Sequence, residues 1–412
     1  MSSSLVRTGQ SGPHRNSAKE RSDDYDVIIV GGRVAGASTA MLLAARGHRV
    51  LVVERADMPS DTVSTHAILR TGVLQLRRWG VLDRIIDVGT PPIRHITLGF
   101  GDERIPFQVR NEHGVDTFYA PRRYVLDAAL AQAARDRGAE FRDRTSMKGL
   151  LVDDTGRVTG IQTGSGSSTE TLTARYVIGA DGHRSRVADL VGSVVRRSHA
   201  PTNAIHYSYY EGIEFPGFWF QFTEGVNTGL VPTNGGRCLV FVGRPTRLRA
   251  RFADDPDREF MRLVEQGGAD LAELVAAGRR VERYYGTSGL KGFMRQAWGP
   301  GWALVGDAGH TKDPISAHGI SDALRDAELC ARAVDRALCE PEDEPAALDW
   351  YETLRDSLSD RIYEQSEALA RFEWSPEEAS ARMRVVSDEV RAESETLVSL
   401  PSWDTSPVLS QC

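Results

Sequence analysis

Three glycines and one acid carry the most specific chemistry in this sequence. Gly31, Gly32 and Gly36 crowd a turn after the apolar run Val27-Ile28-Ile29-Val30, and Glu54 stands 18 residues beyond Gly36. Glycines at such a turn let the backbone approach a diphosphate. The N-terminus of a following helix then offers free N–H groups and a favourable dipole to the anion. A carboxylate about 20 residues further on accepts hydrogen bonds from ribose hydroxyls. The pattern predicts a dinucleotide site, with Glu54 and the adjoining Arg55 at its ribose end. An ordinary strand-to-helix turn is the competing reading. In the G-x-G-x-x-G frame from Gly31, the third position is Arg33, which makes this side chain a candidate phosphate ligand.

Acid–base chemistry has five candidates: His66, His206, Tyr207, Tyr209 and His318. An imidazole titrates near neutral pH and can take a proton from a phenol. Ordinary structural hydrogen bonding is the alternative for each histidine. Arg70 is either a surface arginine or a planar fork on a pyrophosphate. Cys238, Cys330, Cys339 and Cys412 form no C-x-x-C and no zinc spacing. No metal site is expected, and the four are read as reduced thiols of a cytoplasmic protein.

These residues must be positioned by elements that the pattern also predicts. Residues 26–54 read as strand, turn, helix and strand. The spacing predicts helices over 124–137, 257–266, 269–277, from Gly319 onward, and over 346–372. A helix is expected to carry Ile68 to Trp79, and a meander to fill 150–177, with a turn at Gly164-Ser165-Gly166. Residues 198–285 are strand-rich and hold most of the aromatics, including Tyr210, Phe218, Trp219, Phe220 and Phe222. Aromatics on strands are commonly core, but this many also suit the wall of an apolar pocket. Asp307 follows the strand-like run Ala303-Leu304-Val305, where open α/β sheets bind ligands.

At 412 residues the chain has room for more than one domain, and its 41% apolar content supports a sizeable core. The division expected is a disordered N-terminus over 1–23; a discontinuous nucleotide-binding domain over 24–90, 115–195 and 296–345; a substrate domain over 91–114 and 196–295; and helices with a tail over 346–412. A net charge of −7 without a basic face excludes nucleic acid as a main partner. The apolar runs are too short to span a membrane.

Three separated elements now stand in order: GGRVAG with Glu54, ADG at 180–182, and GD at 306–307 with Pro314 and Gly319. In this the chain resembles the class A flavoprotein monooxygenases of the para-hydroxybenzoate hydroxylase type, within the superfamily shared with geranylgeranyl reductases and flavin-dependent halogenases. The resemblance implies an α/β fold: a glutathione-reductase-type FAD-binding domain with an inserted antiparallel-sheet substrate domain and C-terminal helices. It implies that Gly31, Gly32, Gly36 and Glu54 hold the adenosine and pyrophosphate, that Arg70 reaches the pyrophosphate, and that Arg123 lies near the FAD linker. By the same resemblance Asp181 lies at the FAD and nicotinamide contacts, Asp307 binds the ribityl chain, and Pro314 lines the flavin face. Gly319 and Ile320 would offer N–H groups to the flavin N1/O2 edge, where a helix N-terminus stabilises negative charge.

Arg33, Gly309 and Ser321 depart from the family pattern, and Arg33→Gly is expected to keep FAD bound. The halogenase Trp-x-Trp-x-Ile-Pro signature is missing, so halogenation is not expected. The activity implied uses NAD(P)H and O₂ to oxygenate an aromatic or apolar secondary metabolite, such as one of antibiotic biosynthesis, through a C4a-hydroperoxyflavin. Electron delivery by a separate flavin reductase is a variant of that reading. A reductase or dehydrogenase acting on a C=C or C–H bond, and a flavin-binding protein without catalysis, are the alternatives. Oligomeric state stays open.

Overall fold

The computed structural model describes residues 5–7, 24–164, 169–248, 252 and 254–402. Its first layer is a nine-stranded sheet. Tyr25–Val30 lies between Val50–Val53 and Glu170–Gly179 with parallel pairing, and Trp302–Leu304 runs parallel on the far side of Glu170–Gly179. Val27, Ile28, Ile29, Leu51 and Val52 are fully buried, as strands covered on both faces require. The helix Val34–Ala45 covers one face and packs between Arg123–Asp136 and Gly319–Cys339. Its small residues, among them Ala35, Gly36, Ala37 and Ala40, allow that close approach. It ends at Arg46, and Gly47 takes a left-handed φ of 89° as the terminating residue.

The second layer is an eight-stranded sheet from two distant parts of the chain. Residues 203–245 supply four antiparallel strands. The hairpin of His95–Phe100 and Glu103–Gln108 joins by parallel pairing of its first strand with Gly217–Thr223. Side chains alternate between the two faces. Tyr210, Trp219, Leu230, Val240 and Val242 pack on the helices Pro256–Gly267 and Ala269–Ala277. Tyr207, Tyr209, Phe218, Phe220, Val231 and Phe241 pack with Ala67 and Ile315 on the other face. A three-stranded sheet of Val195–His199, Gly292–Arg295 and His310–Thr311 links the two layers.

Two helices complete the fold, Glu344–Ala370 and Pro376–Ser399. The second begins with a capping box in which Ser375 and Glu378 satisfy each other's backbone N–H groups. Among the described residues no helix is long and apolar enough to cross a membrane.

Three local expectations are corrected. Leu5–Arg7 pairs in parallel with Leu150–Val152, so these residues add an edge strand rather than extend an irregular lead. The helix expected from Ile68 starts at Arg70, because the Ile68 backbone is taken by a bridge to Tyr119. Cys238 and Cys330 are free buried thiols, but Cys339, exposed at the end of its helix, is disulfide-bonded. The turn at Ser165-Gly166 and the tail from 403 lie outside the described residues.

Candidate cofactor and substrate site

The glycine turn is closed by contact rather than by flexibility. Gly31 has φ 106°, and a Cβ there would stand 2.3 Å from the Ala180 carbonyl oxygen; a Cβ at Gly36 would stand 1.8 Å from the carbonyl oxygen of Gly31. Any larger residue at either position pushes backbone from backbone. The turn therefore abuts the 180–182 segment, far away in sequence. The Glu54 carboxylate reaches back across it, accepting hydrogen bonds from the Gly32 N–H and the Ala56 N–H, each at 2.8 Å. Arg55 is exposed beside it.

Arg33 starts the helix Val34–Ala45 as its N-cap residue. Its guanidinium donates to the Ser60 carbonyl at 3.1 Å and to Asp127 Oδ2 at 2.7 Å. Arg123 donates to the other carboxylate oxygen, Oδ1, at 3.0 Å. Asp127 is fully buried, so two cations from different elements meet on one carboxylate behind the turn. Arg70 is not brought there. It donates to the carbonyls of Arg110 and Val115 and pairs with Glu112, fixing the loop over 110–115.

Asp181 acts as a cap. It accepts from Ser185 Oγ at 2.5 Å and from the Arg186 N–H at 2.7 Å, at the start of Arg186–Leu190. Asp307 sits at the end of the Trp302–Leu304 strand. Its side chain is open to solvent, yet the surrounding protein is dense enough that desolvation pushes its carboxyl pKa up, with His183, Lys312 and Arg123 opposing. Gly306, with φ 60°, brings this strand end against Ala35, so the Asp307 segment and the glycine turn share one site.

Gly319 opens a 21-residue helix. A Cβ at Gly319 would meet nothing within 4 Å, so the helix N-terminus faces open space. Ile320 is half-buried beside it. Pro314, Ile315 and Ala317 form one wall of an apolar cavity whose opposite wall is Ile205, Phe218, Phe220, Val231 and Phe241.

The histidines divide three ways. His206 is corrected as a catalytic candidate. It stacks on Phe252 at 3.7 Å between ring centroids, on the sheet face turned toward the helices and away from the cavity. Period-two alternation puts it opposite Ile205 and Tyr207. Desolvation there, with Arg244 nearby, lowers its pKa to about 4.

His318 is buried as the N-cap residue of the Gly319–Cys339 helix, with Nε2 2.7 Å from Glu393 Oε2. Glu393 and Asp322 both pair with Arg325, and Lys312 pairs with Asp322. His318 thus belongs to an ionic network behind the helix rather than to the cavity. Among the described residues, the carboxylates and His318 of this network also fall within metal-ligand distance of one another. Lys312 and Arg325 already supply the positive charge there.

His66 is buried with φ 66°, and its Nε2 hydrogen-bonds the Tyr209 hydroxyl. Its Nδ1 has no hydrogen-bond partner among the described residues. Burial, then Arg123 and Arg122, holds its pKa well below the usual range, so the ring is neutral. The Tyr207 hydroxyl accepts from the Ser64 N–H at 3.1 Å, and desolvation pushes its pKa up to about 12. Tyr209 lies under the Arg122 guanidinium at 3.8 Å, and Arg122 pairs with Asp61 and Glu282. The loop before His66 and the sheet strand 203–211 are thereby joined at the cavity rim.

A comparison with protein families now decides the identity: the FAD binding domain family matches residues 24–366. The chain belongs to the FAD binding domain family. It is an FAD-dependent oxidoreductase. The chain is 28% identical over 335 residues to menaquinone reductase of Mycolicibacterium smegmatis, covering 74% of this chain and 75% of that one. It is 31% identical over 337 residues to aklavinone 12-hydroxylase of Streptomyces peucetius subsp. caesius, covering 73% of this chain and 65% of the relative. Among solved structures, PqsL of Pseudomonas aeruginosa, described as a probable FAD-dependent monooxygenase, superposes with a TM-score of 0.74 at 22% identity. That match spans 88% of this chain and 99% of PqsL.

The family member's own residues fit FAD. The glycine turn leads straight into the N-terminus of Val34–Ala45, the exposed Asp307 lies on a segment that meets Ala35 beside that turn, and the exposed Gly319 starts a second helix. Sequence reasoning missed Asp127, Glu393, Asn203, Asn227 and Asp313. Asn203 had a signal: it shares the alternation of Ile205, Tyr207 and Tyr209. Asp127 and Glu393 had none, since helix-surface acids look alike until their cations are placed.

Proposed function

We propose that the protein is an FAD-dependent monooxygenase that takes electrons from NADH or NADPH and oxygenates an aromatic or apolar small molecule with O₂. The observation that supports this reading is the aromatic sheet face of Phe218, Phe220 and Phe241 turned toward Pro314, Ile315 and Ala317 close to the helix start at Gly319; the space between the two walls is only about 10 Å³, so an aromatic substrate would need them to part. Gly31, Gly32, Gly36 and Glu54 would hold the adenosine end of FAD, Asp307 the middle, and Pro314, Gly319 and Ile320 the ring end. Asp181 stays in this reading as the cap of a segment touching the glycine turn. Arg55 would lie at the ribose edge and Arg70 would order the neighbouring loop.

FAD, when bound, supplies hydride acceptance and the reaction with O₂. The chain's tasks are different. The phenylalanines and Ile315 exclude water, which strengthens every polar contact inside. The helix N-terminus at Gly319 would offer partial positive charge to the negative charge of a reduced ring. His66, kept neutral by burial and by Arg123 and Arg122, would hold the Tyr209 hydroxyl in place rather than take up a proton.

Purified protein should oxidise NADPH or NADH faster with a bound aromatic compound and consume O₂ while forming a hydroxylated product. A second reading, reduction of a C=C or quinone-like bond, is favoured by the similarity to a menaquinone reductase. Full turnover of substrate without O₂ would establish that second reading and sink the first.

A further inference from the structure

The two walls of the cavity enclose only about 10 Å³, and a buried polar tie joins them away from the lining. Asn203 begins the strand Asn203–Glu211 of the aromatic sheet face, and Asp313 immediately precedes Pro314 and Ile315 of the opposite wall. Asn203 Nδ2 donates to Asp313 Oδ1 at 2.9 Å, and both residues are buried. The same Oδ1 accepts from the Ile315 N–H at 3.0 Å, which caps the short turn Pro314–Ser316. The turn ends at Ala317, whose φ of 53° is a left-handed conformation that strains a non-glycine residue. One carboxylate oxygen thus holds both the strained turn and the sheet.

Each partner of this tie keeps one oxygen, Asn203 Oδ1 and Asp313 Oδ2, without a hydrogen bond among the described residues. Such buried atoms are rare because each loses its water without replacement. A neutral carboxylic acid is both donor and acceptor, and so is a primary amide. A pair that already shares one hydrogen bond can close a second once the acid carries its proton. Burial raises the Asp313 carboxyl to about 7, opposed only by the Asn203 amide and the Ile315 N–H. The charged groups around it have other partners: Lys312 pairs with Asp322, His318 with Glu393, and Arg244 of the strand Arg237–Pro245 with Glu259. His310 is kept neutral by burial, and His206 lies on the other sheet face. On the helix Glu344–Ala370, which packs on the turn, burial keeps Tyr363 un-ionised, and Glu367 pairs with Arg371.

We propose that Asp313 carries a proton in the closed protein, that its acid–amide pair with Asn203 is a latch holding the aromatic sheet on the 314–317 segment, and that loss of this proton to solvent releases the segment and parts the walls. Asp313 does not line the cavity; it is a positioning residue that acts through Pro314 and Ile315. Once ionised it has no cation to meet in the closed state, and contact with water stabilises the charge, so ionisation favours the parted state. The closed state therefore binds the proton more tightly than the open one. Between the ordinary carboxylate range and about 7, rising pH shifts the balance toward opening. Above about 7 both states are ionised and the effect levels off. The latch governs access to the cavity and stands whether the protein oxygenates or reduces its substrate.

The test uses the FAD-loaded, full-length protein and two readouts that need no turnover. The infrared difference between wild type and Asp313→Asn should show the carbonyl stretch of a protonated carboxylic acid at pH 5 and lose it at pH 9. Hydrogen exchange of the peptide carrying the Ile315 N–H, corrected for the intrinsic pH dependence of exchange, should speed up about tenfold or more between those two pH values in wild type. Asp313→Asn, which keeps the shape and cannot titrate, should show no such change. If that variant does not fold, Asn203→Ala, which leaves the acid without its amide, should exchange at pH 5 about as fast as wild type at pH 9. A difference spectrum without the acid band at pH 5, wild-type exchange that ignores pH, or the same pH response in Asp313→Asn would overturn the latch. So would Asn203→Ala exchanging as slowly as wild type at pH 5.

Discussion

His318 and Glu393 join the first residues of one helix to the last turns of another, Nε2 to Oε2 at 2.7 Å. Both side chains are fully buried. Burial opposes charge on Glu393, but His318, Arg325 and Lys312 outweigh it and hold the carboxyl below its usual range. The C-terminal helix Pro376–Ser399 therefore fixes, through one carboxylate, the helix N-terminus that the proposed flavin ring would meet.

Removing that carboxylate should be costly. Glu393→Ala leaves Arg325 with a lost buried partner and should destabilise the fold by about 3–5 kcal/mol. Thermal unfolding of the FAD-loaded protein checks this. A melting temperature unchanged within a degree would show the pair to be incidental.

Arg33 gives a contrasting expectation. Its partner Asp127 keeps Arg123 when Arg33 is removed. Arg33→Gly should therefore still purify yellow with FAD, and lose only about 1–2 kcal/mol from the missing pair and the flexible helix start. Recovery of colourless apoprotein would identify Arg33 as a required phosphate ligand instead.

Gly36→Ala should do the opposite. A Cβ there overlaps the Gly31 carbonyl, backbone against backbone, which no side-chain movement relieves. Loss of FAD retention, read from the visible absorption of the purified protein, is the expected outcome; full FAD content would mean that the turn can open.

His206 predicts an acid limit. Its pKa is lowered to about 4 in the fold from 6.5. The unfolded chain then binds the extra proton between those values, so stability falls as pH drops from about 6.5 to about 4 and is unaffected by this group above that window. The loss amounts to at most about 3 kcal/mol. His206→Phe, which preserves the stack on Phe252, should flatten the dependence, as denaturant midpoints at pH 7 and pH 5 would record. Parallel curves for both proteins would reject this assignment.

Tyr209→Phe tests the His66–Tyr209 pair. It removes the one hydrogen bond that the His66 ring makes among the described residues and should lower kcat for product formation by about tenfold with little change in KM. Equal losses in both parameters would make the pair a binding feature, and no loss would remove it from the mechanism.

Much of this was written locally in the chain. Gly31, Gly36 and Glu54 announced the strand–turn–helix–strand unit because a tight turn, a helix start and a strand end lie within one short stretch, where spacing alone fixes geometry. The buried runs Val27–Val30 and Val50–Val53 announced a parallel sheet, because strands covered on both sides cannot alternate. What stayed hidden depends on partners far apart in sequence. Alternation separated His206 from Tyr207, but only the docking of the helices Pro256–Gly267 and Ala269–Ala277 on one face decided which of the two meets the cavity. The same holds for Arg33 with Asp127, His318 with Glu393, and Asn203 with Asp313. A charge or an amide gains its role from the dielectric and the partners around it, and those are set only when the layers pack.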